Sequence, residues 1–205
     1  MDIVLHPTYF PNIANFIVIV KANEVTFEID DNYQKQTYRN RAYIYAANGK
    51  LRLNIPVIHT QKNRQKYRDV KISNITNWQE LHWKSLESAY RTSPFFEFYE
   101  DDLKPVFEIK TNFLLDFNFK CFATICECLQ LDLKISKTVK FEREITDKTD
   151  YRFLVNAKKE KTFGFDQYTQ VFSNKYGFIS NLSILDLLFN EGPNTLNYLN
   201  SQELD

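Results

Sequence analysis

The chain has 205 residues and no net charge, because 26 basic residues balance 26 acidic ones. Its length predicts one domain, and its charge balance gives no overall attraction to nucleic acid or to an anionic membrane. The four glycines are well separated, which excludes the glycine-rich loops that cradle phosphates. With 18 Phe, 12 Tyr and 2 Trp, the composition favours a packed core and excludes intrinsic disorder.

The first thirty residues predict a parallel strand–helix–strand unit. Residues 3–5 are a short apolar strand that Pro7 ends, and residues 24–30 alternate polar residues with β-formers before Asp30-Asp31. Residues 13–22 are almost continuously apolar, which fits a helix or a strand, and we favour the helix. In such a unit, the residues that follow both strands meet at one edge of the sheet.

The remaining elements follow from turn and periodicity signals. Asn48-Gly49 predicts a tight hairpin between residues 42–46 and 50–58. Helices are predicted from Trp78 to the stop at Ser93-Pro94, briefly from Pro94 or Asp101, from a cap at Thr111 to about Leu131, from Leu182 to Asn190, and from Asn194 to Leu199. Residues 142–162 are dense in charge and predict a surface loop or hairpin.

These elements predict the fold class α/β, as a single compact domain over residues 1–205. It has a parallel strand–helix–strand opening, an added antiparallel hairpin and a helical second half. We expect residues 1–75 to form a strand-rich, ligand-binding half. Residues 76–205 should form the mainly helical half, with the surface loop near 142–162.

The three cysteines, Cys121, Cys126 and Cys128, lie in one short stretch without a second pair of ligands to complete a zinc site. On a helix Cys126 diverges from the other two, so we expect structural burial and no metal. No cationic segment precedes the apolar residues 13–20, which are too few to span a bilayer. The expected location is therefore the cytoplasm, without membrane insertion.

Between residues 35 and 71 the sequence has ten basic residues and one acid. Arg39 and Arg41, beside Tyr38 and Asn40, are candidate anion ligands because guanidinium groups bind phosphate and carboxylate bidentately. The alternative is a solvated basic edge strand. Alternating charge predicts a solvated loop at Lys62, Arg64, Lys66 and Arg68.

His6 follows the first strand and is the candidate catalytic residue. An imidazole there could bind a phosphate or act as acid or base near neutral pH, and the alternative is a residue that completes a turn. Asp30 and Asp31 end the second strand and could hold Mg²⁺ or a ribose, or form an Asx turn. With Tyr9 and Arg39, these side chains are expected to converge on one cleft.

His82 and Trp83, with Arg91 farther along the helix, could form an aromatic wall with a cation, and core packing is the alternative reading. The sequence has no G-x-S-x-G, H-E-x-x-H, S-x-x-K or C-x-x-C motif. Serine-hydrolase, zincin and dithiol chemistry therefore have no support in the sequence.

Three blocks of the sequence resemble the WbqC-like family of proteins. The first comprises His6-Pro7-Thr8-Tyr9-Phe10-Pro11, Tyr38-Arg39-Asn40-Arg41 and Asn48-Gly49. The second comprises His82-Trp83 to Ala89-Tyr90 and Pro94-Phe95-Phe96. The third comprises Gln170-Val171-Phe172, Gly177-Phe178 and the run from Asn181 to Pro193. In this order the blocks cover nearly the whole chain.

The resemblance implies a role in the biosynthesis of O-antigen and other surface polysaccharides. The expected ligand is a small anionic metabolite such as a nucleotide-activated sugar, and the expected chemistry is a transfer reaction. The alternatives are a non-catalytic ligand-binding or scaffolding partner of that machinery and a nucleic-acid binder, which the zero net charge disfavours. The sequence indicates neither a cofactor nor an oligomeric state. The candidate ligand-binding residues are Tyr9, Asp30, Asp31, Tyr38, Arg39, Asn40, Arg41, His82, Trp83, Asn181 and Asp186.

Overall fold

A computed structural model describes residues 1–58, 65–158 and 161–204 of the chain. The strands are β1 (Asp2–Leu5), β2 (Glu24–Phe27), β3 (Arg41–Ala46), β4 (Gly49–Asn54), β5 (Val57–Ile58), β6 (Lys71–Ile72), β7 (Ile135–Lys137) and β8 (Thr149–Asp150). The helices are α1 (Ile13–Val20), α2 (Trp78–Tyr90), α3 (Phe96–Glu108), α4 (Leu114–Cys128), α5 (Ser173–Tyr176), α6 (Ile184–Glu191) and α7 (Thr195–Ser201). Short 3-10 helices cover Tyr67–Asp69, Arg152–Val155 and Gly192–Asn194.

The central sheet contains four parallel strands in the order β7-β2-β1-β8. The predicted strand–helix–strand opening is confirmed, with Ile3 paired to Val25 and Leu5 to Phe27. The helical interpretation of α1 is also confirmed. Asn12 caps this helix by accepting a hydrogen bond from the amide of Asn15. The fold is therefore α/β, with a parallel sheet at its centre.

The predicted hairpin is confirmed, with β3 and β4 antiparallel around Asn48-Gly49. Gly49 has φ +95°, a backbone conformation that this tight turn requires and that glycine adopts without strain. The second arm is shorter than predicted, because the ladder ends at Asn54, just before Pro56, and proline cannot donate to a ladder. Residues 57–58 pair with β6 instead.

Helix α2 matches its prediction, whereas the next two helices differ from theirs. The short helix expected after Pro94 is α3, which has 13 residues and continues through Pro105. Thr111 does not cap α4, because the preceding backbone pairs with β6: the amide of Ile72 donates to the carbonyl of Asn112 at 2.8 Å. The helix therefore begins only at Leu114.

Residues 142–162 contain more than the predicted loop or hairpin. Within them lies β8, which pairs in parallel with β1, and a 3-10 helix follows it directly. Strands β7 and β8 thus bring part of the expected helical half into the sheet. A strand of two residues carries no periodicity, so the sequence pattern alone does not reveal it.

One face of the sheet packs against α1 and α4 in an aromatic core. The ring of Phe27 meets that of Phe122 edge-on at 5.0 Å, and Phe122 also stacks on Phe16. Cys121 is completely buried, as predicted, and burial raises the pKa of the half-buried thiols of Cys126 and Cys128 to about 12. Among the described residues, no helix is long and apolar enough to cross a membrane.

Candidate functional site

A cavity of about 320 Å³ lies at the carboxyl edge of the parallel sheet. The chain lays down β1, β2 and β7 in one direction and then places β8 on the other side of β1. The order of the strands reverses between β1 and β8, and α/β sheets bind ligands at such a switch point. The residues that carry the argument below are His6, Asp31, Arg39, Asp150, Arg152 and Phe153.

His6, Asp31 and Arg39 form a continuous hydrogen-bonded chain in this cavity. Nε2 of His6 lies 2.8 Å from Oδ2 of Asp31, and Nη2 of Arg39 donates to the same oxygen. Tyr67 supports both partners: its amide donates to the carbonyl of Asp31 at 2.9 Å, and its ring lies 5.1 Å from the guanidinium carbon of Arg39. The predicted convergence of these three side chains is therefore present.

Arg39 is completely buried, so the solvated-edge alternative is wrong for this residue. Its Nε and Nη1 atoms donate no hydrogen bond to any residue that the structure describes, and Oδ1 of Asp31 accepts none from that part of the chain. Leaving a buried donor unpaired costs about 1–3 kcal/mol. A ligand with phosphate or carboxylate oxygens would offer these donors acceptors of the right kind.

The electrostatic environment keeps His6 neutral near pH 7. Burial lowers its pKa to about 4, and the positive charge of Arg39 acts in the same direction, while the hydrogen bond with Asp31 opposes both. A neutral imidazole held by a carboxylate can accept a proton from a bound hydroxyl group. Near neutral pH His6 is therefore an uncharged group that can accept a proton, and not a cationic anion ligand.

Arg152 also lines the cavity and was not a sequence candidate. Its guanidinium binds Asp150 bidentately, with Nε to Oδ1 at 2.9 Å and Nη2 to Oδ2 at 2.6 Å. Nη1 donates to the carbonyl of Glu142 at 2.6 Å. The hydrogen bond with Asp150 is the largest cause of the raised pKa of Arg152. The sequence signal for this residue was the pair Asp150-x-Arg152, which is difficult to recognise because the surrounding segment contains many charged residues.

Glu28 lies beneath these groups and is fully buried. Its Oε1 accepts hydrogen bonds from the amide of Asp30 at 2.8 Å and from the hydroxyl of Thr138 at 3.0 Å. Its Oε2 lies 3.7 Å from Nη1 of Arg152. Burial raises the pKa of Glu28. This carboxyl group ties the carboxyl ends of β2 and β7 to the cavity wall.

The structure separates the adjacent carboxylates Asp30 and Asp31. Asp30 pairs with Lys66 at 3.0 Å and with Arg68 at 3.1 Å, whereas Asp31 faces His6 and Arg39. The two groups thus do not share one ligand. Among the described residues, no three His, Cys, Asp or Glu side chains lie close enough together to hold a metal ion. Lys62 and Arg64 lie outside the described residues.

Tyr9, His82 and Trp83 lie in the core and do not line the cavity. The hydroxyl of Tyr9 is 2.9 Å from Nδ1 of His82, and burial lowers the pKa of His82 to about 4. Trp83 packs against Phe96 and Phe107, with ring centroids 5.8 and 5.5 Å away. The positions of His82 and Trp83 agree with core packing, the alternative considered for these residues.

Tyr38, Asn40 and Arg41 do not line the cavity either. The buried ring of Tyr38 meets that of Tyr43 edge-on at 5.9 Å. Nδ2 of Asn40 donates to the carbonyl of Ile55 at 2.9 Å and fixes the base of the hairpin. Arg41 is half-buried at the start of β3. Of the four residues from 38 to 41, the structure therefore brings only Arg39 to the cavity.

Asn181 occupies the amino end of α1. Its Oδ1 accepts from the amide of Ala14 at 2.8 Å, the carbonyl of Leu182 accepts from Ile13 at 3.0 Å, and Asn12 takes the next amide. Helix amino termini commonly bind phosphate through such amides. Here these donors are already used within the chain, so this helix end does not offer them to an anion.

Asp186 is completely buried in α6 and holds three elements together. It accepts hydrogen bonds from Tyr90 at 2.7 Å, from Tyr168 at 2.5 Å and from Gln170 at 2.8 Å. Burial raises the pKa of this carboxyl group. None of these residues lines the His6 cavity, so the structure does not bring Asp186 to it.

Residues 6–163 match the model of the WbqC-like protein family, a segment that includes every residue lining the His6 cavity. The chain is 27% identical over 228 aligned residues to the uncharacterized protein Rv1507c of Mycobacterium tuberculosis (strain ATCC 25618 / H37Rv), and the alignment covers 96% of each protein. No solved structure matches the chain. Since the family match spans most of the sequence, the chain belongs to the WbqC-like protein family.

Proposed function

We propose that this protein binds a small anionic metabolite, such as a nucleotide-activated sugar, in the His6 cavity and transfers its activated group during surface-polysaccharide biosynthesis. The observation that carries the proposal is the buried His6–Asp31–Arg39 chain in a cavity at the switch point of the sheet. Family membership supports the polysaccharide context. The volume of about 320 Å³ fits the lower end of the usual range for small-molecule sites.

In the proposed reaction, a hydroxyl oxygen of the acceptor attacks the activated carbon of the sugar. The new carbon–oxygen bond forms as the bond to the phosphate oxygen breaks, and the nucleotide leaves with that electron pair. The hydroxyl proton moves to neutral His6. Asp31 orients the ring and stabilises the imidazolium that forms, and Arg39 holds Asp31 in place.

A second candidate is a non-catalytic ligand-binding partner of the same machinery. One observation favours it: His6 is only 6% exposed, and both arginines of the cavity already pair with acids of the chain. Such a protein would bind the same metabolite without turning it over. Turnover therefore separates the two candidates.

The test combines ligand identification with two histidine variants. Mass spectrometry of the purified protein and calorimetric titration with UDP-, dTDP- and GDP-sugars identify the ligand, and turnover is then followed with an acceptor sugar. His6→Gln keeps an amide that can reach Asp31 but removes the base, so we expect binding within about tenfold of wild type and turnover lower by about 10²–10⁴-fold. His82→Asn is the matched control, because this buried histidine lies outside the cavity.

Each outcome has a definite meaning. Loss of turnover in His6→Gln with retained turnover in folded His82→Asn supports the transfer reaction. Binding without turnover in the wild type supports the non-catalytic candidate. Equal turnover in wild type and His6→Gln overturns the assigned base, and an absence of both a co-purified metabolite and any sugar-nucleotide binding overturns the proposed function.

A further inference from the structure

Two exposed phenylalanines line the His6 cavity. Of the 18 phenylalanines in the chain, three are exposed: Phe98, Phe141 and Phe153. Phe141 is 46% exposed and Phe153 is 45% exposed, and both line this one cavity. A single exposed apolar side chain is ordinary, but two large exposed rings that line one cavity are informative, because exposed apolar patches mark binding sites. The proposed transfer chemistry uses neither ring.

A cation of the chain lies over each of these two rings. The guanidinium carbon of Arg152 is 5.4 Å from the ring centroid of Phe141, and Nζ of Lys161 is 5.5 Å from that of Phe153. Tyr151 also packs on Phe153, with ring centroids 6.1 Å apart. These contacts position the rings while about half of each remains open to the solvent.

Three amide side chains line the same cavity, those of Asn32, Gln34 and Asn156. All three residues are exposed. Within the described ranges 1–58, 65–158 and 161–204, their side chains make no hydrogen bond to another residue. An amide presents a donor and an acceptor side by side, which is the pattern that base edges complement.

We propose that the mouth of the cavity is a nucleoside subsite, in which Phe141 and Phe153 stack against a nucleobase and the neighbouring amides bind its edge. The inference rests on the proposed function and specifies the nucleotide part of the activated ligand. Stacking of a base on an aromatic side chain is sequence-tolerant, because every base has a π-face. The amides form hydrogen bonds with the edge of the base, and these bonds fix the orientation of the base in the cavity.

The experiment titrates UDP, dTDP, GDP and glucose 1-phosphate separately into wild type and variants. We expect Phe141→Leu and Phe153→Leu each to weaken binding of the preferred nucleotide about tenfold, because leucine keeps apolar area but cannot stack. Their affinity for glucose 1-phosphate should equal that of the wild type. Phe98→Leu is the matched control, since this exposed ring on α3 lies outside the cavity, and its affinities should not change.

Two results overturn the inference while the proposed function stands. The first is wild-type nucleotide affinity in both cavity variants, with melting temperatures confirming that each is folded. The second is an equal loss of affinity for nucleotide and glucose 1-phosphate, which would mean that the rings do not bind the base. If the wild type binds none of the four probes, the proposed function fails together with the subsite.

Discussion

At the residue scale, Arg39 is the buried positive charge of the cavity. Its guanidinium is completely buried against Asp31 and Tyr67, although in the sequence it belongs to a segment rich in basic residues. Burial lowers the pKa of Arg39, and the charge of Asp31 opposes this shift. The two charges therefore depend on each other, since removing either one leaves the other buried without a compensating charge.

We predict that Arg39→Ala lowers the free energy of unfolding by about 3–5 kcal/mol, because it leaves Asp31 as an unpaired buried charge. Arg41→Ala, two residues along on a half-buried side chain, should cost less than about 1 kcal/mol. Urea unfolding followed by far-UV circular dichroism measures both. An equally small effect of the two substitutions would show that Asp31 does not depend on Arg39.

At the scale of elements, α6 shows how far local signals extend. Ser183 caps its amino end and Gly192 ends it with φ +52°, and both are local signals that agree with the helix predicted from Leu182 to Asn190. The structure adds a packing reason for the glycine. A Cβ at position 192 would lie 2.5 Å from ring atoms of Phe95.

Gly192→Ala should therefore lower the free energy of unfolding by about 2 kcal/mol or more, through backbone strain and the clash together. Gly164→Ala is the control, because a Cβ there meets no atom within 4 Å and the backbone φ is not in the left-handed region. That variant should be neutral or slightly stabilising. Thermal and urea unfolding compare the two, and similar stabilities would argue against the packing around Phe95.

The sequence predicts elements whose signals are local and misses those that depend on distant partners. The hairpin at Asn48-Gly49 and the opening strand–helix–strand unit each have a local sequence pattern. The topology predicted from these patterns was enough to place His6, Asp31 and Arg39 at one edge of the sheet. Strand β8 has two residues and takes its partner from the other end of the chain. Arg152 was therefore missed, because only that pairing places it at the cavity. The burial of Arg39 likewise depends on Tyr67, which no local pattern connects to it.

At the scale of the whole molecule, two buried histidines make stability depend on pH. The pKa of His6 and of His82 is lowered to about 4 in the folded protein, whereas an unfolded histidine titrates near 6.5. Below pH 6.5 the unfolded chain binds protons that the folded one does not. Protonation therefore favours unfolding, and stability is lost as the pH falls from about 6.5 to about 4.

We predict that the free energy of unfolding decreases over this interval by up to about 1.4 kcal/mol per pH unit for each histidine. Glu28 and Asp186, whose pKa values are raised by burial, act in the opposite direction. Urea unfolding between pH 4 and 8 measures the net effect, and the double variant His6→Gln/His82→Asn isolates the histidine part by flattening the profile. A wild-type profile as flat as that of the double variant would contradict the lowered pKa values.

The pairing of β1 with β8, through Ile3 and Thr149, has a consequence for how the chain folds during its synthesis. On the ribosome, β1 emerges on the order of ten seconds before β8, at the usual rates of synthesis. During that interval the backbone edge of β1 that later pairs with β8 has no partner, so it can bind a chaperone or a neighbouring nascent chain. The cavity also lacks part of its lining until Arg152 has been synthesised. Completing the sheet requires closure of a very long loop, so the pairing of β8 with β1 should be a slow, late folding step. The cavity should therefore form only in that step.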